Sequence, residues 1–455
     1  MPDLSRRDFL RYAVWSSAVA GGGLLSSSAL MGKKGITAHA AVEGDKPFAL
    51  CISDVHIGER YGGVTGNPGR PNRYLQVDSS DKKRAYVRRE FIEFLKACKS
   101  TRERSGKIQY LIILGDMWDM AMNNQADSFA LSTILFRHLN EQDKGIGLGD
   151  LFEKVIYVPG NHDHHFWEML QEKYWVTERV EKGLIPLEMP KVAALTVDMR
   201  TGDVSHEDKS AKDGKIPLHN PVSSLLGLDG ATPVYVGYPH IFLKKQEGKY
   251  IFLTHGHLFE PDWNMVTMMF GDLMKKNGIP MTIRNIEMFN AITTELHSYS
   301  LGQTPPYKFW EKMYDLHFNK QAPAEWEKGI KEILEAHFYL RRDTKLDDEP
   351  KTRSKKYHAV EALQAERDLV EHYLTQAAKE HLPGEAEITT LIYGHTHVPS
   401  YGDTFVRYEN EIKKPLKIYN TGGWVDIDPE TFHMPQPMLV FADGGVGPLH
   451  LQKEG

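Results

Sequence analysis

Cysteine is nearly absent from this chain of 455 residues, with Cys51 and Cys98 as the only two. Two thiols in a chain this long exclude a disulfide framework, and both sit in apolar periodic stretches, where a buried thiol is the simplest reading. An excess of positive charge is missing as well. With 55 Lys+Arg against 61 Asp+Glu the formal charge is -6, which leaves no bulk electrostatic footprint for nucleic acid or an anionic membrane surface. There is no internal repeat and no low-complexity tract, which excludes repeat architectures. Beyond the N-terminal region no apolar run approaches the roughly eighteen residues of a membrane span, so the mature chain is expected to have no transmembrane segment. What is present is the balance of an ordinary folded protein, 41% hydrophobic and 25% charged. The length suits one α/β core with additions better than the roughly three domains that length alone suggests.

The first forty residues read as an address. Ser5-Arg6-Arg7-Asp8-Phe9-Leu10-Arg11 resembles the twin-arginine export motif, with Arg11 where that motif more usually has Lys. A moderately apolar stretch, Tyr12 to Met31, leads to Lys33-Lys34 and the small-residue site Ala38-His39-Ala40. Cleavage before Ala41 is expected, with an uncleaved membrane anchor as the alternative. Loss of residues 1–40 leaves 50 Lys+Arg against 59 Asp+Glu. The motif implies the twin-arginine translocation machinery as a partner and a periplasmic or extracellular location. That route carries proteins already folded, so a metal site could be filled before export.

Along the rest of the chain, apolar strand-like segments alternate with helical ones. Strands are expected at Phe48 to Ser53, Tyr110 to Leu114, Val155 to Val158, Val234 to Val236, Ile251 to Thr254 and Thr389 to Tyr393. A charged amphipathic helix is expected over about Lys82 to Arg104 and another near Asp127 to Leu139. Such alternation implies parallel pairing and a βαβ core. Between the last two strands the pattern is helical for well over a hundred residues. This divides the chain into a signal at 1–40, a core at 41–257 and 386–455, and a helical insertion at 258–385 that acts as a cap or a partner surface.

The chemistry concentrates where strands stop. Asp54-Val55-His56 offers a carboxylate and an imidazole two residues apart in nearly extended chain. Gly115-Asp116-Met117-Trp118-Asp119 adds carboxylates, and Gly160-Asn161-His162-Asp163 an amide oxygen and an imidazole. His255-Gly256-His257 and Gly394-His395-Thr396-His397 add further imidazoles. A single histidine is more often a surface or hydrogen-bonded core residue than a ligand. Five such clusters, each at a strand end, outweigh that bland reading. Nitrogen and oxygen donors without thiolate suit Mn, Fe, Zn or Ni and do not choose among them.

This ordered set resembles the calcineurin-like metallophosphoesterase superfamily, over about residues 47 to 445 except the insertion, and no motif residue is missing. The resemblance implies an α/β fold, a four-layer α/β/β/α sandwich with a large helical insertion, carrying two divalent transition-metal ions above the carboxyl ends of its strands. Carried over by position, the first ion takes Asp54, His56, Asp116 and His397, and the second takes Asp116, Asn161, His255 and His395, with Asp116 as the bridge. Two such ions and two ligand carboxylates leave a net charge of about +2, or about +1 with a bridging hydroxide, which welcomes a phosphate in an acidic chain. A metal-bridging hydroxide then attacks a phosphate mono- or diester in line. His162 resembles the family's general acid, oriented by Asp119; Asp119 could instead simply start a helix. His257 is read as a neighbour of the ligands. His164 and His165 either contact substrate or face solvent on a helix, and Arg60 either grips phosphate or lies on the surface.

The insertion is expected to set substrate choice. Six methionines fall within residues 265 to 288 (Met265, Met268, Met269, Met274, Met281, Met288), followed by Tyr307, Phe309, Trp310, Tyr314 and Phe318. They suit a lipid-like substrate's acyl chains or, at helical spacing, the insertion's own core. An insertion at this position is also similar to that of the UDP-2,3-diacylglucosamine diphosphatases, whose nucleotide-sugar substrate is cytoplasmic and fits poorly with an export signal. The readings that compete with an exported phosphoesterase are a metal-dependent nuclease of the same superfamily and a metal-holding interaction module. The charge balance disfavours the first, since no nucleic acid is expected as a partner, and the complete ligand set disfavours the second.

Overall fold

The computed structural model describes residues 46–449 apart from 60–62, 66–73, 79–83, 122, 143–144, 207–219, 229, 261–262, 302–362, 364–365, 410–411 and 426–434. The export signal, Arg60 and the part of the insertion that carries Tyr307, Phe309, Trp310, Tyr314 and Phe318 lie outside the described residues. No helix among those described is long and apolar enough to cross a membrane.

Three short apolar segments build the first sheet: β1 (Pro47–Ile52), β4 (Ile108–Leu114) and β5 (Phe152–Val158). They pair in parallel, and β8 (Val234–Val236) extends them in the same sense. At the other edge β14 (Met438–Phe441) and β15 (Val446–Pro448) add antiparallel strands, giving the order β15-β14-β1-β4-β5-β8. The parallel pairing expected from alternation therefore holds at the centre of this sheet. Its crossovers are α1 (Arg89–Ser105) and α2 (Gln125–Gln142).

A second sheet of seven strands is mixed, with the order β12-β13-β11-β10-β9-β6-β7. Its members are β6 (Leu195–Asp198), β7 (Val204–His206), β9 (His240–Lys244), β10 (Lys249–Thr254), β11 (Glu387–Tyr393), β12 (Ser400–Glu409) and β13 (Ile412–Asn420). β10 and β11 run parallel although the insertion separates them.

Side-chain alternation explains how the layers stack, because successive residues of a strand face opposite sides of the sheet. Ala49 and Cys51 of β1 join Ile112, Leu114, Ile156, Ile241, Leu253 and Ile392 in a core between the two sheets. Leu50 and Ile52 point the other way, onto Phe91, Phe94, Leu95 and Cys98 of α1. Phe252, Leu391 and Ile418 face outward from the second sheet onto Ile283 and Ile286 of the insertion and Val370, Tyr373 and Leu374 of a helix at Arg367–His381. Three cores between four layers make an α/β/β/α sandwich. Cys51 and Cys98 are free, buried and in different cores, as the scarcity of cysteine suggests.

One expected boundary is wrong. The helix expected from about Lys82 begins only at Arg89, and Arg84–Arg88 forms β3, paired antiparallel with β2 (Tyr74–Asp78). Ala85 and Val87 are buried at a spacing of two, a strand period that the charged composition of this stretch hides.

Candidate metal centre

All five motif clusters follow the carboxyl ends of strands: Asp54 and His56 after β1, Asp116 after β4, Asn161 and His162 after β5, His255 after β10, and His395 and His397 after β11. Open α/β sheets place their clefts there. The loops are laced to each other by backbone bonds: Asp54 N–H donates to Gly115 O (3.0 Å), His56 N–H to Asp116 O (2.9 Å) and Gly394 N–H to His255 O (2.9 Å).

Among the described residues the non-glycine residues with positive φ are Asp54, His56, Asp116, His395 and His397, at φ 49° to 66°. This left-handed conformation is uncommon for side-chain-bearing residues and persists where the surroundings over-determine it. All five belong to the expected ligand set.

Two carboxylates are each anchored by one oxygen and leave the other free. Asp54 Oδ2 accepts from His395 N–H at 2.8 Å and from the Ser53 hydroxyl, while Asp54 Oδ1 is buried without a hydrogen-bond partner among the described residues. Asp116 Oδ1 accepts from His162 N–H at 2.8 Å, which leaves Oδ2 facing His56 Nε2 at 3.6 Å and His255 Nε2 at 3.3 Å. The imidazoles are fixed in the same way. His255 Nδ1–H donates to Leu114 O (2.8 Å) and His56 Nδ1–H to Asp119 Oδ2 (3.0 Å), so Nε2 of each ring turns inward. Locking one ring nitrogen to an oxygen while the other faces the site is how proteins prepare a metal-binding imidazole.

The inward atoms form two groups. Asp54 Oδ1, His56 Nε2 and His397 Nε2 lie 3.2 to 3.9 Å apart. On the other side, His255 Nε2 lies 2.9 Å from Asn161 Oδ1, 3.2 Å from His395 Nδ1 and 3.3 Å from Asp116 Oδ2. Donors bonded to one cation at about 2.0–2.2 Å stand about 3 Å or slightly more from one another, so these spacings suit a pair of ions sharing Asp116. Among the described residues three groups have donor atoms close enough to hold a metal ion: the triads Asp54-His56-His397 and Asp116-His255-His395, and between them His56-Asp116-His162, which brings the His162 ring beside the shared carboxylate.

Charges in the cluster polarise each other strongly. Burial alone would raise Asp54, Asp116 and Asp119, yet neighbouring histidines outweigh it and hold all three below the usual carboxylate range. Burial opposes protonation of His255, but Asp116 beside it raises the imidazole to about 9. His257 goes the other way, pushed well down by burial and by His255 and His395. It is buried, neither of its ring nitrogens has a partner among the described residues, and it belongs to neither triad.

Asp119 is buried between two imidazoles, with Oδ2 on His56 and Oδ1 3.2 Å from His162 Nδ1. It does not start a helix, since the next one begins at Gln125. The ring of His162 stands edge-on to that of His56 with centroids 4.6 Å apart. Asp163 is buried under the loop and accepts from the backbone N–H of Gly160 (2.7 Å) and Met117 (2.8 Å). Gly160 itself is obligatory, because a Cβ there would fall 2.2 Å from Asp116 Oδ1.

His164 is buried rather than solvent-facing, and its Nδ1 meets Glu295 Oε1 of the insertion at 2.5 Å; His165 Nδ1 meets Oε2 at 2.9 Å. Of the methionines, Met274 is buried, Met281 packs against the outer core and Met288 is 46% exposed. Sequence reasoning missed His297, Glu295 and Glu260, whose Oε2 lies 3.2 Å from His395 Nε2. None of them sits in a motif or at a strand end.

A two-sheet sandwich with an Asp/His/Asn cluster able to hold two ions at its strand ends defines a metallophosphoesterase-type protein. The sequence model of the calcineurin-like phosphoesterases matches residues 49–399, and the chain belongs to that family. Membership makes it, at the level of the family, a metal-dependent phosphoester hydrolase. No curated protein matches the sequence. Among solved structures a dimetal phosphatase from Danio rerio aligns over 89% of this chain and 100% of its own at 10% identity and a TM-score of 0.27. So loose a likeness adds nothing to the fold assignment, which rests on the two sheets and the family match.

Proposed function

We propose that the chain is an exported binuclear phosphoesterase that hydrolyses a phosphate mono- or diester. The observation that carries this reading is the meeting of two donor groups at one carboxylate oxygen, Asp116 Oδ2. Asp54, His56, Asp116 and His397 would hold one ion, and Asp116, Asn161, His255 and His395 would hold the other. Mn, Fe, Zn and Ni all suit these donors. When bound, two divalent ions would supply the means to form a nucleophile from water at neutral pH and to offset the charge of the phosphoryl oxygens.

The chain's own residues do the rest. His162 stands beside the donor groups and donates the proton that an alkoxide leaving group needs. Asp119 orients that imidazole and also fixes His56, so one carboxylate ties the acid to the ligand set. The insertion at 258–385, as a cap or a partner surface, is the segment that would select the substrate, a phosphate ester of lipid-like character being consistent with its apolar residues. The test is hydrolysis of a mixed panel of phosphomonoesters, phosphodiesters, phospholipids, nucleotides and oligonucleotides by the metal-loaded mature chain. Preference for oligonucleotides would move the reading to a nuclease.

Export by the twin-arginine machinery to the periplasm or beyond is supported by Ser5-Arg6-Arg7-Asp8-Phe9-Leu10. Arg6→Lys together with Arg7→Lys is expected to trap precursor in the cytoplasm on cell fractionation. Normal secretion of the double variant would show that another route is used.

A further inference from the structure

We propose that His297, carried by the helical insertion, is a substrate-contacting residue that hydrogen-bonds the bound phosphoester beside His162. This rests on the hydrolase reading of the cleft. The insertion helix Ile283–Glu295 does not end in an ordinary cap but widens into a π-helical turn, Leu296–Leu301. Such turns interrupt regular hydrogen bonding and recur at functional sites.

This turn is held onto the core from both sides of His297. Glu295, two residues before it, meets the Nδ1 atoms of both His164 and His165. Ser298, one residue after it, accepts from His165 N–H at 3.0 Å, and Tyr299 stacks on the His165 ring at 3.9 Å. The Glu295 carboxylate is suited to this clamp: burial would raise it, but His164 and His165 hold it down at about 2, so it stays ionised.

The clamp delivers the imidazole of His297 to His162. Their ring centroids are 4.5 Å apart and edge-on, and Trp263 packs on His297 at 5.0 Å. His297 is 0% exposed, and neither ring nitrogen has a hydrogen-bond partner among the described residues. Burial, reinforced by neighbouring His162, holds it well below the usual histidine range, so the ring is neutral and offers one donor and one acceptor. If packing were the whole role, an apolar ring would serve better, because a buried polar group without a partner is costly. His162 keeps slight solvent exposure, 9%, where His297 has none. An oxygen hydrogen-bonded to His162 comes within one ring's reach of His297, which supplies the missing partner.

The test uses the metal-loaded full chain with His297→Phe, which keeps ring shape and loses both nitrogens, and His297→Gln, which restores a donor and an acceptor. Binding of inorganic phosphate is followed by calorimetry, and metal content and thermal unfolding are measured on the same samples. Phe is expected to keep both metals and to weaken phosphate binding about tenfold or more, with Gln recovering most of the loss. On a hydrolysed ester the Phe variant should raise KM as well as lower kcat. Glu295→Ala, which leaves His297 in place but frees its turn, should weaken phosphate binding in the same direction, and this covers the case in which Phe does not fold. Phosphate affinity within twofold of the wild type in a metal-replete Phe variant, or in Glu295→Ala should Phe not fold, would overturn the assignment. Because binding is read without turnover, a wild-type chain that binds phosphate through His297 yet hydrolyses no ester would count against the hydrolase reading and not against this contact.

Discussion

Replacing Asp116 by Asn is expected to abolish turnover, by about 10³-fold or more, and to lower the number of metal ions retained per chain. The reason is geometric. One oxygen of Asp116 is tied to His162 N–H, and the other faces His56 and His255 together. Asparagine keeps the shape but removes the charge shared by both donor groups. It also puts an amide N–H₂ either against His162 N–H or among the imidazole nitrogens. Elemental analysis and kcat on the same sample check this. His257→Asn is the control, since His257 lies outside both triads and should have a milder effect. Equal loss from both variants would overturn the choice of His255 as the ligand.

The second large effect is expected at His162, whose substitution separates acid catalysis from structure. His162→Asn should leave both metals bound, because no ion is assigned to its ring and the backbone N–H that it donates to Asp116 is kept. Turnover should nevertheless fall by roughly 10²–10⁴-fold for an ester with an alkoxide leaving group, the range of a lost general acid. For a p-nitrophenyl ester of the same acid the loss should be much smaller, since nitrophenolate departs without a proton. A fractional loss independent of the leaving group, with metals retained, would refute the acid role and leave His162 as a packing residue against His56 and His297.

The core of the site was legible because its chemistry is local. Each motif follows directly on an apolar strand, and a polar residue at the carboxyl end of a buried strand is placed by the sheet itself. β1, β4, β5, β10 and β11 are long enough to show that pattern. The short strands Leu195–Asp198 and Val204–His206 are too brief for a period to show, and His240–Lys244, although apolar, also escaped notice. The hairpin before α1 was hidden by its charges.

What sequence could not reveal at the site are contacts between residues far apart in the chain. Glu295 meets His164 and His165 across about 130 positions, and no spacing rule connects them. His297 faces His162 only because the π-helical turn is clamped in place. The segment Asn420-Thr421-Gly422-Gly423-Trp424 is similar: Asn420 Nδ2–H donates to Gly394 O at 2.8 Å and a Cβ at Gly423 would collide with the His397 ring. Such residues shape the loops that carry ligands without offering ligand atoms themselves.

The most direct measurement is hydrolysis of the mixed ester panel by the mature chain as transition-metal ions are titrated back after chelation, with bound ions counted at each point. The account predicts that at least one phosphate ester is turned over, that activity is lost on chelation, and that it returns in full only as bound metal approaches two ions per chain. A chain that carries two ions and hydrolyses no phosphate ester, or one that turns over its substrate equally well without metal, would contradict it.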